Sequence, residues 1–234
     1  MRLKLTIDEG NSSTKVALWE GYAVVRKFDS VPSDFASLGV DGVILSSVRK
    51  ESDLPALLSK APGFINLSAE TPLPLVIDYA SPHTLGADRI AAAVGAKSIA
   101  PRGGYVLVVD IGTAVTYDLL YAGEPSVFKG GNIAPGIALR LDALHNFTSA
   151  LPAVSIDGPV PLMGTTTDEA MRSGAVRGIV AEIEYYHSQL SNITTVLTGG
   201  SAEVIAPYIS SPFILEPDLV TIGLKSILDY NENL

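Results

Sequence analysis

Apolar and polar positions alternate over residues 3–8 and then break at Asp8-Glu9-Gly10-Asn11-Ser12-Ser13-Thr14-Lys15, after which the apolar run Val16-Ala17-Leu18-Trp19 follows. Alternation with period two marks a strand, and a Gly/Asn/Ser cluster between two such runs marks a tight turn. A second apolar run at 105–109 enters Asp110-Ile111-Gly112-Thr113-Ala114-Val115-Thr116-Tyr117-Asp118 and is followed by Leu119-Leu120. Both segments predict a strand, an Asp-x-Gly-[Asn/Thr] turn and a returning antiparallel strand. They lie 102 positions apart (110 − 8), nearly half of the 234-residue chain, which points to internal duplication.

The elements that follow each turn match at coarse grain. After the first, the pattern predicts a strand near 22–28, a short helical stretch at 33–38, a strand at 42–46, a helix at 52–60, a strand at 64–67 and a helix at 85–99. After the second it predicts a strand near 126–129, helices near 137–146 and 167–190, a strand at 194–198, a helix at 202–208, a strand at 213–215 and a terminal helix at 218–231. Each half reads βββαβαβα, so the fold class is α/β with two duplicated domains, 1–103 and 104–234. That duplicated arrangement is similar to the actin/hexokinase/Hsp70-like ATPase superfamily, and the resemblance implies RNase H-like (actin-like ATPase) domains flanking a nucleotide cleft.

Composition narrows the partners. Hydrophobic residues make up 47% and charged residues 18%, which suits a packed core rather than disorder. The longest apolar stretches, such as 105–109 and 90–94, fall far short of a membrane span. Net charge is −9, from 16 basic and 25 acidic side chains with no Lys/Arg cluster, which argues against nucleic-acid binding. Cysteine is absent, excluding disulfides, thiolate zinc sites and cysteine nucleophiles. Met1-Arg2-Leu3-Lys4 runs straight into a strand with no signal-like apolar segment, so a cytoplasmic protein with a small-molecule partner is expected.

Two such turns suit a polyphosphate. A glycine at a hairpin tip permits positive φ and close backbone approach, and successive N–H groups there form an anion-binding concavity. Ser12, Ser13 and Thr14 add hydroxyl donors, and Lys15 adds positive charge. Asp8 and Asp110, each ending a strand, are expected to project into one cleft, where a carboxylate can hold magnesium directly or through water. Gly199-Gly200, within Val196-Leu197-Thr198-Gly199-Gly200-Ser201-Ala202, falls between a strand and a helix; it reads either as a nucleotide contact or as an ordinary strand-to-helix turn.

The motifs resemble those of type III pantothenate kinases. Asp8-Glu9-Gly10-Asn11-Ser12-Ser13-Thr14-Lys15 is similar to that family's Asp-x-Gly-Asn-Thr-x-x-Lys loop, and Gly86-Ala87-Asp88-Arg89 matches its Gly-Ala-Asp-Arg motif. Asp110-Ile111-Gly112-Thr113-Ala114-Val115-Thr116 matches the second phosphate loop, and Gly130-Gly131-Asn132-Ile133-Ala134-Pro135-Gly136-Ile137 resembles the glycine-rich segment. Ala143-Leu144 through Leu151-Pro152, the 164–174 segment and Thr198-Gly199-Gly200 follow in the family's order. Ser12 replaces a usual threonine and keeps the hydroxyl. Glu9 stands where a neutral residue is commoner, and strand alternation predicts that it points away from the phosphates. The chain is also shorter than many members.

The resemblance implies ATP-dependent phosphorylation of the primary hydroxyl of pantothenate to 4'-phosphopantothenate, the first step toward coenzyme A. It assigns Asp88 as the base; on the residues alone, a helix cap or first-turn acid stays open. Gly86, Ala87, Asp88 and Arg89 would contact substrate, with a surface ion pair as the alternative for Arg89. Tyr79 matches a pantothenate-contacting tyrosine or is a plain strand-end residue, and Thr167 either binds substrate or caps the long helix. Asp8, Glu9, Gly10, Asn11, Ser12, Ser13, Thr14, Lys15 and Thr113 would bind ATP, Asp8 with Mg2+, while Asp110 would hold a monovalent cation, K+ or NH4+. His83, His145 and His187 lack metal-ligand spacing. A homodimer is implied, to which Met171, Gly174, Ala175, Gly178 and Ile179 at helical spacing could contribute, though they equally suit an intrachain core. The rival readings are a sugar or carboxylate kinase of the same superfamily, which would not need Gly86-Ala87-Asp88-Arg89, and a non-catalytic regulatory paralogue.

Overall fold

The alternating N-terminal run forms β1 (Leu3–Glu9), which returns through the first turn as β2 (Thr14–Glu20), antiparallel, with Leu3 opposite Glu20 and Glu9 opposite Thr14. β3 (Ala23–Phe28) completes the meander, while β4 (Gly42–Ser47) and β5 (Phe64–Asn66) add in parallel, giving the order β3-β2-β1-β4-β5. The computed structural model describes residues 2–234. They divide into two compact units: residues up to Arg102 with Tyr121–Lys129 and Asp218–Leu234, and Gly103–Leu120 with Gly130–Pro217.

The second unit repeats the first. Strands β7 (Tyr105–Ile111), β8 (Ala114–Tyr121), β9 (Val127–Pro135), β10 (Ile193–Thr198) and β11 (Phe213–Leu215) take the order β9-β8-β7-β10-β11, with β10 parallel to both β7 and β11. The duplication expected from the two turns is therefore present strand for strand. One strand escaped the pattern: β6 (Val76–Ile77) pairs in parallel with Val127 and Phe128, residues of the first unit.

Alternation sorts the faces of the first sheet. Leu5, Ile7, Val43 and Leu45 point into a core shared with Leu58 of α1 (Leu54–Leu58). Lys4, Thr6 and Asp8 point the other way, and Lys4 Nζ bonds Asp229 (2.5 Å) and Glu232 (2.6 Å) of α6 (Leu219–Glu232). α6, which the sequence pattern put in the second half, thus packs in the first unit, chiefly against α2 (Ala87–Ile99). Glycine makes the close approach possible: a Cβ on Gly95 would collide with the Leu219 carbonyl, and one on Gly223 with the Ala91 carbonyl. In the second unit, α3 (Ile137–Phe147), α4 (Thr167–Gln189) and the short α5 (Ala202–Ile205) cover a core that includes Val109, Ile111, Leu141, Ile179 and Leu197.

Three expected helices are shorter than the pattern suggested. The stretch at 33–38 is only a 3-10 turn, Phe35–Leu38, and the helix at 52–60 contracts to the five residues of α1. The helix at 202–208 becomes α5 followed by a 3-10 turn at Ala206–Tyr208, where Pro207 has no N–H to continue an α-helical ladder. The strand expected at 126–129 instead runs to Pro135, taking most of the glycine-rich segment into β9. Among the described residues no helix is long and apolar enough to cross a membrane.

Candidate active site

In the first unit, the turn after β1 is closed by Gly10 N–H donating to the Ser13 carbonyl at 2.9 Å. Neither Gly10 nor Gly112 has positive φ, contrary to the conformational role expected of them. At Gly10 the constraint is room, since a Cβ would stand 3.3 Å from the Ser13 carbonyl oxygen. Asn11, Ser13 and Lys15 are exposed around the tip, and Asp8 lies opposite Lys15 in the ladder, so their side chains share a face. Asp8 also aligns with Ser46 of β4, whose hydroxyl is fully buried and makes no hydrogen bond to another described residue.

Glu9 faces the opposite side, as alternation required. Its side chain is buried, accepting from Ser47 Oγ at 2.6 Å and lying 3.6 Å from Arg49 Nη1. Arg49 Nε donates to the Gly10 carbonyl at 2.9 Å, and Val48 N–H to the Glu9 carbonyl at 3.1 Å. None of Ser46, Ser47 or Arg49 stood out in the sequence. The available signal was Ser46-Ser47-Val48-Arg49 at the carboxyl end of a parallel strand, where α/β sheets place ligands.

Gly86-Ala87-Asp88-Arg89 opens α2. Gly86 is the N-cap residue and makes no side-chain cap, while Asp88 sits in the first turn. Asp88 Oδ1 accepts from the Arg89 backbone N–H at 2.8 Å. Burial pushes the Asp88 carboxyl above its ordinary range, against the opposing pull of that N–H and of the Arg89 charge. Arg89 is itself buried, its guanidinium 6.0 Å from the Tyr79 ring centre and 5.8 Å from that of Phe128. Tyr79 meets Phe128 edge-on at 6.0 Å. Arg89 is therefore not a surface residue, and its guanidinium lies near two aromatic rings. Phe128, fully buried, completes this group and was not anticipated. A cavity of about 410 Å³ opens beside Gly86 and Ala87, lined also by Ser47, Ser68, His83 and Thr84.

In the second unit three motifs converge on one turn. Asp110 lies near the end of β7 opposite Thr198, and Gly112 N–H donates to the Ala114 carbonyl at 3.0 Å. Gly136 N–H donates to the Thr113 carbonyl at 2.9 Å, and a Cβ on Gly136 would collide with the Gly112 and Thr113 carbonyls. Gly199, with φ of +95°, lies so close to the Asp110 carboxylate and the Ile111 backbone that no side chain fits, and Ser201 N–H donates to the Ile111 carbonyl at 2.9 Å. Gly199 is fitted to the Asp110 turn, whereas a Cβ on Gly200 would meet nothing within 4 Å.

Thr167 lies at the exposed start of α4, but it does not cap that helix. Thr166 does, accepting from Glu169 N–H at 3.2 Å, while the Glu169 carboxylate receives the Thr165 N–H and hydroxyl, both at 2.9 Å. The acid at the third position after the cap is Glu169, one step earlier than counting from Thr167 suggested. The histidines pair as structural groups: His83 with Glu70, His145 with the Leu151 carbonyl and His187 with Thr195. No group of three or more His, Cys, Asp or Glu side chains able to hold a metal occurs among the described residues. A divalent ion here would therefore take few ligands from the chain and most from phosphate and water, a donor set that suits Mg2+.

The sequence was compared with known proteins. The family model for type III pantothenate kinase matches residues 4–189. A type III pantothenate kinase of Azobacteroides pseudotrichonymphae is 38% identical over 240 residues, covering 97% of each chain. Among solved structures, a Campylobacter jejuni protein provisionally described as a Baf family transcriptional activator is 26% identical, with a TM-score of 0.67 over 98% of this chain and 100% of that one. An inorganic polyphosphate/ATP-glucomannokinase from Arthrobacter shares 12% identity and a TM-score of 0.51 over 99% of this chain and 100% of that one, a likeness of fold alone.

Proposed function

This chain belongs to the type III pantothenate kinase family, and we propose from that premise how its residues carry the family's reaction. The reaction is transfer of the γ-phosphoryl group of ATP to the primary hydroxyl of pantothenate, giving 4'-phosphopantothenate and ADP, the first step of coenzyme A synthesis. The observation that carries the assignment of roles is Asp88: a half-buried carboxylate in the first turn of α2, its proton affinity raised by desolvation.

A general base gains by holding its proton more tightly than an ordinary carboxylate, and desolvation raises the Asp88 carboxyl in that direction. Asp88 takes the hydroxyl proton as the pantothenate oxygen bonds to the γ-phosphorus and the bond to the ADP oxygen breaks. Arg89, buried against Tyr79 and Phe128, has little freedom to swing, which suits it to orient the acceptor or the transferring phosphate. The cavity beside Gly86 and Ala87 is of a size to hold part of the acceptor. Thr167, relieved of capping by Thr166, remains available to contact substrate.

The loop 8–15 offers N–H groups, the hydroxyls of Ser12, Ser13 and Thr14, and the Lys15 ammonium to the phosphates of ATP, and Thr113 of the Asp110 turn is assigned as a further ATP-binding residue. Asp8 is the side chain to hold Mg2+, which neutralises phosphate charge when bound. Asp110, which lies close against Gly199, is the side chain to hold K+ or NH4+. The working unit is a homodimer in the cytoplasm. Its support is a set of exposed apolar side chains on the second unit, Ile133, Leu139, Phe147, Leu162 and Met163.

A coupled ADP-release assay across an acceptor panel tests this reading. Turnover with pantothenate, Mg2+ and K+ is expected, falling when K+ is withheld. Turnover with a hexose or a simple carboxylate in its place would assign the chain to another kinase of the fold. No turnover with any acceptor, the chain being folded, would favour the regulatory reading.

A further inference from the structure

The first phosphate loop contains a carboxylate that the reaction does not call for. Glu9 is followed directly by the tip residue Gly10, and its side chain is only 6% exposed. A buried carboxylate beside a triphosphate site weakens anion binding unless it is compensated, and its burial is costly unless it is paired. The chain supplies both answers from one place, the end of β4. Ser47 Oγ donates to Glu9 Oε2 at 2.6 Å, and the Arg49 guanidinium lies 3.6 Å from Oε1.

Arg49 does a second thing at the same time. Its Nε donates to the Gly10 carbonyl oxygen at 2.9 Å, a charge-assisted bond to the loop backbone. In a trans peptide the carbonyl and the following N–H point in opposite directions. Drawing the Gly10 carbonyl toward Arg49 therefore turns the Asn11 N–H away from Arg49. The neighbouring strand end is tied to the same segment by the Val48 N–H donating to the Glu9 carbonyl at 3.1 Å, and the Arg49 N–H donates to Ser47 Oγ at 3.3 Å.

We propose that Arg49 is a positioning residue for ATP, which neutralises Glu9 and, by holding the Gly10 carbonyl, aims the Asn11 N–H at the nucleotide phosphates. The proposal rests on the reading of residues 8–15 as a phosphate loop and adds to it a residue from a different strand. Arg49 acts through the loop backbone, so its effect falls on the nucleotide and not on the acceptor. Lys cannot replace it fully, since an ammonium lacks the planar fork that reaches Glu9 and Gly10 together.

Steady-state kinetics of the full chain, varying ATP and pantothenate separately, tests this. Arg49→Ala is expected to raise KM for ATP by about 10-fold or more, the scale of losing one charge-assisted hydrogen bond. The KM for pantothenate should stay within about twofold, and Arg49→Lys should fall between Arg49→Ala and the unaltered chain. Glu9→Gln in the Arg49→Ala background is expected to recover only the part of the loss that comes from the uncompensated Glu9 charge, and KM for ATP should stay above that of the unaltered chain because the Gly10 carbonyl is still unheld. Full recovery would show that Arg49 acts only as the counter-ion of Glu9 and would overturn its hold on the loop backbone. An unchanged KM for ATP, an equal rise in both KM values, or no recovery in the double variant overturns the proposal while leaving the kinase assignment standing. An unaltered chain that binds no ATP defeats both together.

Discussion

The Asp88 carboxylate occupies the space that a side chain at position 86 would need: a Cβ on Gly86 would collide with Asp88 Oδ1. Gly86 has φ of −58° and ψ of 137°, a conformation open to any residue, so the glycine is there for room and not for backbone freedom. Gly86→Ala is therefore expected to leave the fold intact and move the carboxylate. Misplacement on the ångström scale costs about 100-fold in rate. The measurement is kcat beside a thermal melt, and a variant with unaltered kcat would detach Gly86 from the positioning of Asp88.

Asp88 also couples the site to stability. Its carboxyl is raised by burial from the ordinary value of 3.8, so the folded chain holds this proton more tightly than the unfolded chain. As pH rises from 3.8 through the raised value the folded state binds more protons than the unfolded state, and stability falls; above that window it stays at the lower level. Asp88→Asn, which resembles the protonated form, should melt above the unaltered chain at neutral pH. The gap should close as pH falls below 3.8. Equal melting temperatures at neutral pH would contradict the desolvation of an ionised Asp88.

The duplicated strand order was legible because each half writes it locally: an alternating strand, an Asp-x-Gly turn and an apolar return. The Asp88 position was legible for the same reason, since a helix start is a local signal. The placement of α6 in the first unit was not, because it depends on Gly95 and Gly223 meeting across 128 positions (223 − 95). Phe128 beside Arg89, and Arg49 beside Glu9, are likewise contacts between segments distant in sequence, of which local pattern carries no record. The cap at Thr166 rather than Thr167 was legible from Glu169 three positions on.

The α2–α6 contact makes an opposing pair of effects measurable. Replacing Gly by Ala inside a helix ordinarily stabilises by about 1 kcal/mol. At Gly223 the added carbon meets the Ala91 carbonyl, a backbone atom that cannot rotate aside, and overpacking of a tight contact costs about 1–3 kcal/mol. The clash outweighs the helix gain, so Gly223→Ala is expected to lower stability by up to about 2 kcal/mol in urea unfolding. A gain in stability would show that the helices separate at little cost.

Association in solution tests the exposed apolar face. Phe147 is 89% exposed at the end of α3 and Met163 80% exposed. The unaltered chain should sediment at about twice its 24.5 kDa mass, and Phe147→Glu should shift it toward the monomer without lowering the melting temperature of the fold. A monomeric unaltered chain contradicts the dimer.

Phosphoryl transfer by Asp88→Asn tests the account most directly. With ATP, Mg2+, K+ and pantothenate, the variant should still bind ATP, and its rate of 4'-phosphopantothenate formation should fall by about 100- to 10,000-fold, the range for losing a general base. A variant that forms product at the unaltered rate would remove Asp88 from the chemistry, and the assignment of roles would fall with it.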